Sequence, residues 1–192
     1  DFGVTVITKS DRILRDLDLL KSINQKTKAV VQMTLTTYDE ELCKILEPNV
    51  CTTRRRAEVL KIMHENGIPT VVWLDPILPY INDTEENLQG ILNYCREAKV
   101  KGIICFGMGL TLREGNKEYF YQKLDEHFPG LKERYKREYG PAYEVYSKKS
   151  RKLMSMFYAF CGEHGIESDV NKNFAYLHEF EDKQAGQQLS LF

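Results

Sequence analysis

The chain has 192 residues, of which 42% are hydrophobic and 29% charged, which is ordinary for a soluble globular protein with a sizeable core. No apolar run reaches the length of a membrane span and no signal peptide is recognisable, so we expect no membrane association and a cytoplasmic location. The formal net charge is −1, but residues 131–152 contain eight Lys or Arg against three Glu, which weakly indicates an anionic partner.

Strands and helices alternate in the first part of the chain. Apolar runs predict four strands, at Val4–Thr8, 29–35, 69–74 and 102–106. Helical periodicity predicts helices at 11–23, 39–46, 53–66 and from about residue 82 to about 98. This alternation predicts a parallel sheet with right-handed crossovers. After Gly109 the pattern predicts only helices, at 117–128, Leu131–Tyr139 and 143–162, and a polar tail from Ser168.

Four strands cannot close a barrel, so the α/β pattern predicts either a small open sheet or part of a barrel whose first units lie upstream. The chain starts almost directly in a strand and without Met, and we interpret it as a piece of a longer protein. The five cysteines are scattered without C-x-x-C or C-x-x-x-C-x-x-C spacing, which predicts reduced and mostly buried thiols. None of the four histidines has metal-ligand spacing, and no metal ligand is assigned.

Three segments resemble radical S-adenosylmethionine enzymes, specifically the spore photoproduct lyase-like branch. These are VTVITKSDRILRDLDLL (residues 4–20), TTYDEELCKILEP (residues 36–48) and GIPTVVWLDPILPYINDTEENL (residues 67–88). The resemblance covers residues 4–110 and continues more loosely through the later helices. It implies the C-terminal strands and helices of a partial (β/α) barrel of the TIM-like type, with a C-terminal helical extension. We divide the chain into a half barrel (1–112), a helical extension (113–165) and a polar tail (166–192).

The resemblance further implies S-adenosylmethionine and a [4Fe–4S] cluster as cofactors, an electron donor for the cluster, and 5′-deoxyadenosyl radical chemistry. In this branch the substrate is a thymine dimer in DNA. The cluster is held by a C-x-x-x-C-x-x-C motif after the first strand, and this chain lacks that motif. The fragment alone is therefore expected to be inactive, and no catalytic residue is assigned in it.

Cofactor-binding residues are expected where strands end. By resemblance Lys9 would reach S-adenosylmethionine, and the hydroxyls of Thr34 and Thr36 would bond a ribose, although a solvated lysine and the β-propensity of threonine are the alternatives. Arg56 stands where the family usually has Arg, in a helical first turn that disfavours cations, or it belongs to a solvated cationic face. The remaining candidates are Asn82, Gly107 and Gly109.

Each of those last candidates has a structural alternative. Asn82 shapes the loop after the third strand, where the backbone is expected near adenine. In the same loop Asp83 and Glu86 resemble a capping box. Gly107 and Gly109 either admit adenine or make a plain turn. Glu47 and Pro48 match a recurrent pair of the family and are expected to brace the loop rather than bind a ligand.

Two C-terminal features point to macromolecular partners. Residues 131–156 interleave tyrosines with lysines and arginines, which suits DNA, although an ordinary amphipathic helix has the same composition. The last five residues resemble the peptide that binds the bacterial sliding clamp, with Gln188 in polar contacts and Leu189, Leu191 and Phe192 in an apolar pocket. The alternative is a tail that docks on its own barrel.

The sequence therefore predicts the C-terminal part of a radical S-adenosylmethionine enzyme acting in DNA photoproduct or other nucleic-acid repair. One alternative is a non-enzymatic module that tethers a partner to the replication clamp. Another is an unrelated α/β enzyme for a phosphorylated small molecule, which is disfavoured because no Gly-rich phosphate loop is present.

Overall fold

The computed structural model describes residues 2–180 and 183 and has a mixed α/β architecture. In that part of the chain the strands are β1 (Val4–Thr8), β2 (Ala29–Thr34), β3 (Thr70–Trp73), β4 (Gly102–Ile104), β5 (Gly109–Thr111) and β6 (Glu144–Tyr146). The α-helices are α1 (Leu17–Lys26), α2 (Glu40–Leu46), α3 (Thr53–Glu65), α4 (Glu85–Glu97), α5 (Asn116–His127), α6 (Leu131–Tyr139), α7 (Ser150–His164) and α8 (Val170–His178). A 3₁₀ helix, Asp11–Asp16, precedes α1, within the segment predicted as one helix.

The first four strands form one parallel sheet in the order β1-β2-β3-β4. Its sequential order follows from the β-α-β alternation, in which each helix returns the chain to the start of the next strand. The α/β class and the parallel pairing are as predicted. Closure of this sheet into a barrel stays a prediction.

Helices cover both faces of the sheet, and alternate residues along each strand serve the two faces. Val31, Met33 and Val72 point to the face on which α1, α3, α4 and α7 pack. Val30 and Val71 point to the opposite face, where they meet α8. All six residues of β2 are buried, as expected for a strand that is covered on both faces.

The prediction of an all-helical region after Gly109 is wrong, because β5 and β6 form a small antiparallel sheet. Residues 144–146, predicted as the start of a helix, pair with Gly109–Thr111, and α7 begins only at Ser150. Leu112, Tyr135 and Val145 build a second apolar cluster under this sheet together with α5 and α6. The pairing joins residues on both sides of the predicted boundary at 112, and that division stays a prediction.

The polar tail predicted from Ser168 contains a helix that packs against the main sheet. Asp169 caps α8 by accepting a hydrogen bond from the Lys172 backbone N–H. Phe174 and Leu177 lie in the apolar cluster on the α8 face of the sheet. Within residues 2–180 and 183, no helix has the length and apolarity that crossing a membrane requires.

Candidate functional site at the carboxyl edge of the sheet

The four parallel strands end at one edge of the sheet, and this edge is where α/β proteins place their ligands. Lys9 follows β1, Thr36 and Thr37 follow β2, Asp75 follows β3, and Phe106 follows β4. Parallel pairing therefore gathers residues that are far apart in the sequence. Polar side chains dominate at β1 and β2, whereas aromatic side chains dominate at β3 and β4.

Lys9 is held by a chain of charges that runs into the core. Its Nζ lies 2.6 Å from Glu47 Oε1, and Glu47 Oε2 lies 2.5 Å from Arg56 Nη2. Burial alone would raise the pKa of the Glu47 carboxyl, but the hydrogen bonds from Arg56 and Lys9 outweigh burial and lower that pKa. The side chain of Lys9 remains 40% exposed, so it is both held by Glu47 and partly accessible at the edge.

Arg56 is completely buried, so the alternative of a solvated cationic face is wrong for this residue. Its Nε donates to Cys51 O at 2.8 Å and its Nη1 donates to Thr34 O at 2.6 Å, in addition to the pair with Glu47. The guanidinium thus joins the end of β2, the end of α2 and the start of α3. Contact with a cofactor stays a prediction for Arg56, and the contacts seen here give it a positioning role behind Glu47 and Lys9.

The neighbouring arginines do form the expected exposed face. Arg54 lies 3.3 Å from Glu40, and Arg55 lies 2.9 Å from Asp11 and 3.0 Å from Glu58. These carboxylates offset the unfavourable interaction of the cations with the start of α3.

The threonines after β2 are enclosed by the following loop. Thr34 and Thr36 are both buried. The Thr36 carbonyl accepts hydrogen bonds of 2.9 Å from the side-chain amides of Asn82 and Asn87, and its hydroxyl oxygen lies 3.4 Å from that of Thr37. Contact of the threonine hydroxyls with a ribose stays a prediction.

Asn82 anchors the loop that follows β3. Its side-chain oxygen accepts from the Leu78 backbone N–H at 2.6 Å, and its amide donates to Thr36 O and Thr37 Oγ1. This use of both ends of the amide explains why an asparagine stands here. Cofactor binding by Asn82 stays a prediction.

The predicted capping box at Asp83 is wrong, because Thr84 is the N-cap of α4 and accepts from the Asn87 backbone N–H. The carboxylate of Asp83 is buried and is used for tertiary contacts instead. It accepts from the Tyr80 backbone N–H at 2.7 Å and from the Ser147 hydroxyl. Asp83 therefore ties the loop after β3 to the end of β6.

The two glycines after β4 make room for β6. A Cβ on Gly109 would lie 2.2 Å from Val145 O, and one on Gly107 would lie 3.0 Å from the ring of Tyr146. Gly107 also has φ +135°, a conformation that other residues avoid. Close approach of β6 accounts for both glycines, and adenine contact stays a prediction.

A cavity of about 430 Å³ opens beyond the ends of β3 and β4. Its charged and aromatic lining residues are Trp73, Asp75, Phe106, Arg113, Glu144 and Tyr146. Burial raises the pKa of the Asp75 carboxyl to about 6. Asp75 is not among the site residues predicted from the sequence, although its place directly after the predicted strand 69–74 is a usable signal.

A second cavity, of about 640 Å³, lies between α2 and α5. Lys44, Phe120 and His127 are among its lining residues, and none of the residues that directly follow β1–β4 lines it. It is larger than the strand-end cavity but lies away from the polar groups that the sheet gathers. We therefore place the candidate site at the strand ends.

The basic C-terminal segment is more neutralised than its composition suggests. Glu138 accepts charge-assisted contacts from Arg134 at 3.0 Å and Lys148 at 2.8 Å, and hydrogen bonds from Lys148 and Tyr80 lower the pKa of its carboxyl to about 2. Lys152 lies 2.5 Å from Glu85. Tyr135, one of the tyrosines expected to stack on bases, is completely buried.

The thiols are free, as predicted, and four of the five are buried: Cys43, Cys95, Cys105 and Cys161. Burial raises the pKa of Cys105 to about 11 and that of Cys161 to about 12, so these thiols stay protonated at neutral pH. In residues 2–180 and 183, no group of three or more His, Cys, Asp or Glu side chains is arranged to hold a metal ion. These residues do not fit an iron–sulfur cluster, which needs cysteine thiolates as ligands.

No protein-family model matches the chain. An uncharacterized protein of Methanocaldococcus jannaschii is 34% identical over 82 residues, which cover 43% of this chain and 30% of that protein. An uncharacterized protein of Mycobacterium tuberculosis is 26% identical over 167 residues, covering 84% and 48%, respectively. One of Acidianus two-tailed virus is 31% identical over 122 residues, covering 62% and 39%. The matched regions thus span less than half the length of each relative.

Among solved structures, the crystal structure of Streptococcus suis SuiB bound to S-adenosylmethionine superposes with a TM-score of 0.41 and 15% sequence identity. The match covers 64% of this chain and 28% of SuiB. A likeness this low does not define the ligand of the present chain.

Proposed function

We propose that this chain is the C-terminal part of a radical S-adenosylmethionine iron–sulfur enzyme that resembles spore photoproduct lyase. The observation that carries the proposal is the carboxyl edge of the parallel sheet, where Lys9, partly exposed and held by Glu47, follows β1 next to the buried polar end of β2. The three segments that resemble the family contribute the residues that follow β1, β2 and β3 at this edge. S-adenosylmethionine, when bound, would supply the radical that abstracts hydrogen from the substrate.

Several residues of this chain fit the binding of that cofactor. The ammonium group of Lys9 suits the carboxylate of the methionine moiety, and the Glu47–Arg56 pair holds it in place. By resemblance adenine is expected near Gly107, beside the exposed ring of Phe106, on which a flat base would stack. The chain's own contribution is therefore orientation of the cofactor and exclusion of side reactions.

The iron–sulfur cluster would be held by another part of the full-length protein, because the described residues do not fit it. The relatives, which are more than twice as long as their matched regions, have room for such a segment. An electron donor for the cluster is a further requirement of this proposal.

DNA is the substrate that this proposal favours, in a repair reaction on a photoproduct or another nucleic-acid lesion. Lys148, Lys149, Arg151 and Lys152 lie exposed in sequence between β6 and the first turn of α7. Cations in such a row attract phosphates even where carboxylates offset part of their charge. Absence of salt-dependent DNA affinity in the intact protein would contradict this substrate.

The test uses the complete gene product. We expect a C-x-x-x-C-x-x-C motif in its upstream sequence, an iron–sulfur absorbance after reconstitution, and release of 5′-deoxyadenosine from S-adenosylmethionine under reducing conditions. Lys9→Ala should lower that release roughly tenfold or more, since one charge-assisted contact of a fixed lysine is lost. Lys44→Ala, which removes a surface lysine paired with Glu41, is the matched control and should not change it. A product without cluster and without 5′-deoxyadenosine release would refute the proposal.

A second candidate function is a non-enzymatic tether to the bacterial sliding clamp, which the C-terminal sequence QLSLF favours. Gln188, Leu189, Leu191 and Phe192 lie outside the described residues. The hypothesis is tested by comparing clamp binding of the wild type with that of the Leu191→Ala/Phe192→Ala double variant. Undetectable binding of both proteins would remove it.

A further inference from the structure

Aromatic side chains that are exposed to solvent line the cavity beyond the ends of β3 and β4. Phe106 is 53% exposed and Tyr146 is 46% exposed, which is unusual for large rings beside a sheet. The ring centroids of Trp73 and Phe106 are 6.0 Å apart, with 51° between the planes. Tyr146 lies against Gly107, which directly follows Phe106. Three rings from three different strand ends thus line one cavity.

Contacts with Gln32 and with Phe174 hold two of these rings, Trp73 and Phe106, in place. The indole N–H of Trp73 donates to the Gln32 side-chain oxygen at 2.6 Å, and the Gln32 amide donates to the Thr5 hydroxyl at 2.7 Å. Phe174 of α8 packs edge-on against Trp73 at 5.9 Å and lies 6.3 Å from Phe106. Because the walls are already fixed, ordering them on binding has little entropic cost.

Three charged side chains line the cavity: the carboxylates of Asp75 and Glu144 and the guanidinium of Arg113. Their formal sum is −1, and the Tyr146 hydroxyl donates to Glu144 at 3.2 Å. Asp75 is half-buried, and Tyr146 and Cys105 are the titratable groups that interact with it from β6 and from the end of β4. An anionic ligand would meet two carboxylates here, whereas a cation would be attracted by them.

Aromatic faces combined with carboxylates recognise organic cations, because the ring quadrupole and the negative charge attract the same group. In the described part of the chain, the cations that lie over aromatic rings use other rings, such as Arg134 over Tyr80 and Lys28 over Tyr176. We propose that the cavity lined by Trp73, Phe106, Tyr146 and Asp75 binds an organic cation of the alkylated ammonium class. The inference goes beyond the proposed function and does not rest on it, because the rings and carboxylates of this cavity alone carry it.

Trp73 is the single tryptophan of the chain, so its fluorescence reports on this cavity without interference from another indole. The probe is choline, and the matched ligand is its neutral isostere, in which carbon replaces the ammonium nitrogen. We expect choline to change the fluorescence with roughly tenfold higher affinity than the isostere, as a cation over desolvated rings requires. Sodium chloride at the same ionic strength should give no such change.

The variant Asp75→Asn should remove most of the preference for choline over the isostere. The matched control Asp125→Asn alters an exposed carboxylate paired with Lys132 and should leave that preference intact. Because burial raises the pKa of the Asp75 carboxyl to about 6, the wild-type preference should also weaken between pH 7 and pH 5. Equilibrium dialysis with labelled choline provides a second measurement that does not depend on the indole.

Equal affinity for choline and its isostere would overturn the inference, and so would an unchanged preference in Asp75→Asn with wild-type circular dichroism. Both experiments are performed on this chain without cofactor. If the complete gene product released 5′-deoxyadenosine while the chain showed no preference for choline, the inference would fail and the proposed function would stand. Selective choline binding without 5′-deoxyadenosine release would support the inference and refute the proposed function.

Discussion

Replacing Arg56 by Met should destabilise the fold much more than the same change at Arg55, its neighbour in the first turn of α3. The side chain is completely buried and donates to Cys51 O, Thr34 O and the Glu47 carboxylate. Methionine fills a similar length of space but donates nothing. Three oxygen acceptors then lose a partner, one of them a carboxylate that keeps Lys9 and a long contact of 3.9 Å from the Cys43 thiol.

The expected loss of unfolding free energy follows from the acceptors that Arg56→Met leaves without a donor. An unsatisfied buried acceptor costs about 1–3 kcal/mol, and breaking a buried ion pair costs about 3–5 kcal/mol. These costs overlap, since the same guanidinium serves all three acceptors, and we expect a loss of about 4 kcal/mol. With a urea m-value of about 2 kcal/mol/M, the unfolding midpoint should fall by about 2 M.

Arg55→Met is the matched control, because Arg55 lies in the same helical turn and also pairs with carboxylates. Its partner Glu58 is exposed and its partner Asp11 is partly exposed, so its loss should cost about 1 kcal/mol or less. Urea unfolding followed by circular dichroism measures both variants. If Arg56→Met cost no more than Arg55→Met at an unchanged m-value, the view of Arg56 as a buried clamp would be refuted.

Two further predictions concern Glu47 and Gly109. Because the pKa of Glu47 is lowered in the folded state, its stabilising contribution is complete above the unfolded value of about 4.3 and is lost as pH falls through the folded value. The difference in urea midpoint between wild type and Glu47→Gln should therefore shrink from pH 7 to pH 3, and a constant difference would contradict this. Gly109→Ala places a Cβ 2.2 Å from Val145 O and should cost about 2 kcal/mol or more by thermal unfolding. Gly162→Ala, where a Cβ meets nothing within 4 Å in α7, should instead be neutral or stabilising by up to about 1 kcal/mol, and equal losses in both variants would refute the steric explanation.

The main sheet was predictable because each of its strands is a short apolar run bounded by helix signals. Thr52 and Asp39, for example, cap α3 and α2 as the sequence of each start suggests. The small sheet was not predictable in the same way. Its strands have three residues each, and they pair across more than thirty intervening residues, so local periodicity carries no signal for them.

Helix α8 illustrates a different failure. Its apolar residues Val170, Phe174, Tyr176 and Leu177 are interspersed with polar ones and are followed by polar sequence, which predicts a tail rather than a packed helix. These apolar residues become meaningful only once the sheet offers a face to cover. The sequence pattern of a single segment does not predict a helix well when that helix is stabilised mainly by tertiary contacts.

Arg56 and Asp75 show which sequence signals locate a site in this fold. The sequence marks Arg56 as a candidate because a cation is unfavourable in the first turn of a helix. Its burial among acceptors from three elements explains the arginine without a ligand. Asp75 breaks no rule and simply follows a strand, yet it lines the cavity at the strand ends. Position at the carboxyl edge of the sheet thus predicts a site residue better than a broken local rule does.

At that edge the polar groups near β1 and β2 are largely engaged with one another, whereas the rings and carboxylates beyond β3 and β4 are open. Ligand selectivity in this chain should therefore depend more on Asp75 and its aromatic neighbours than on the threonines of β2.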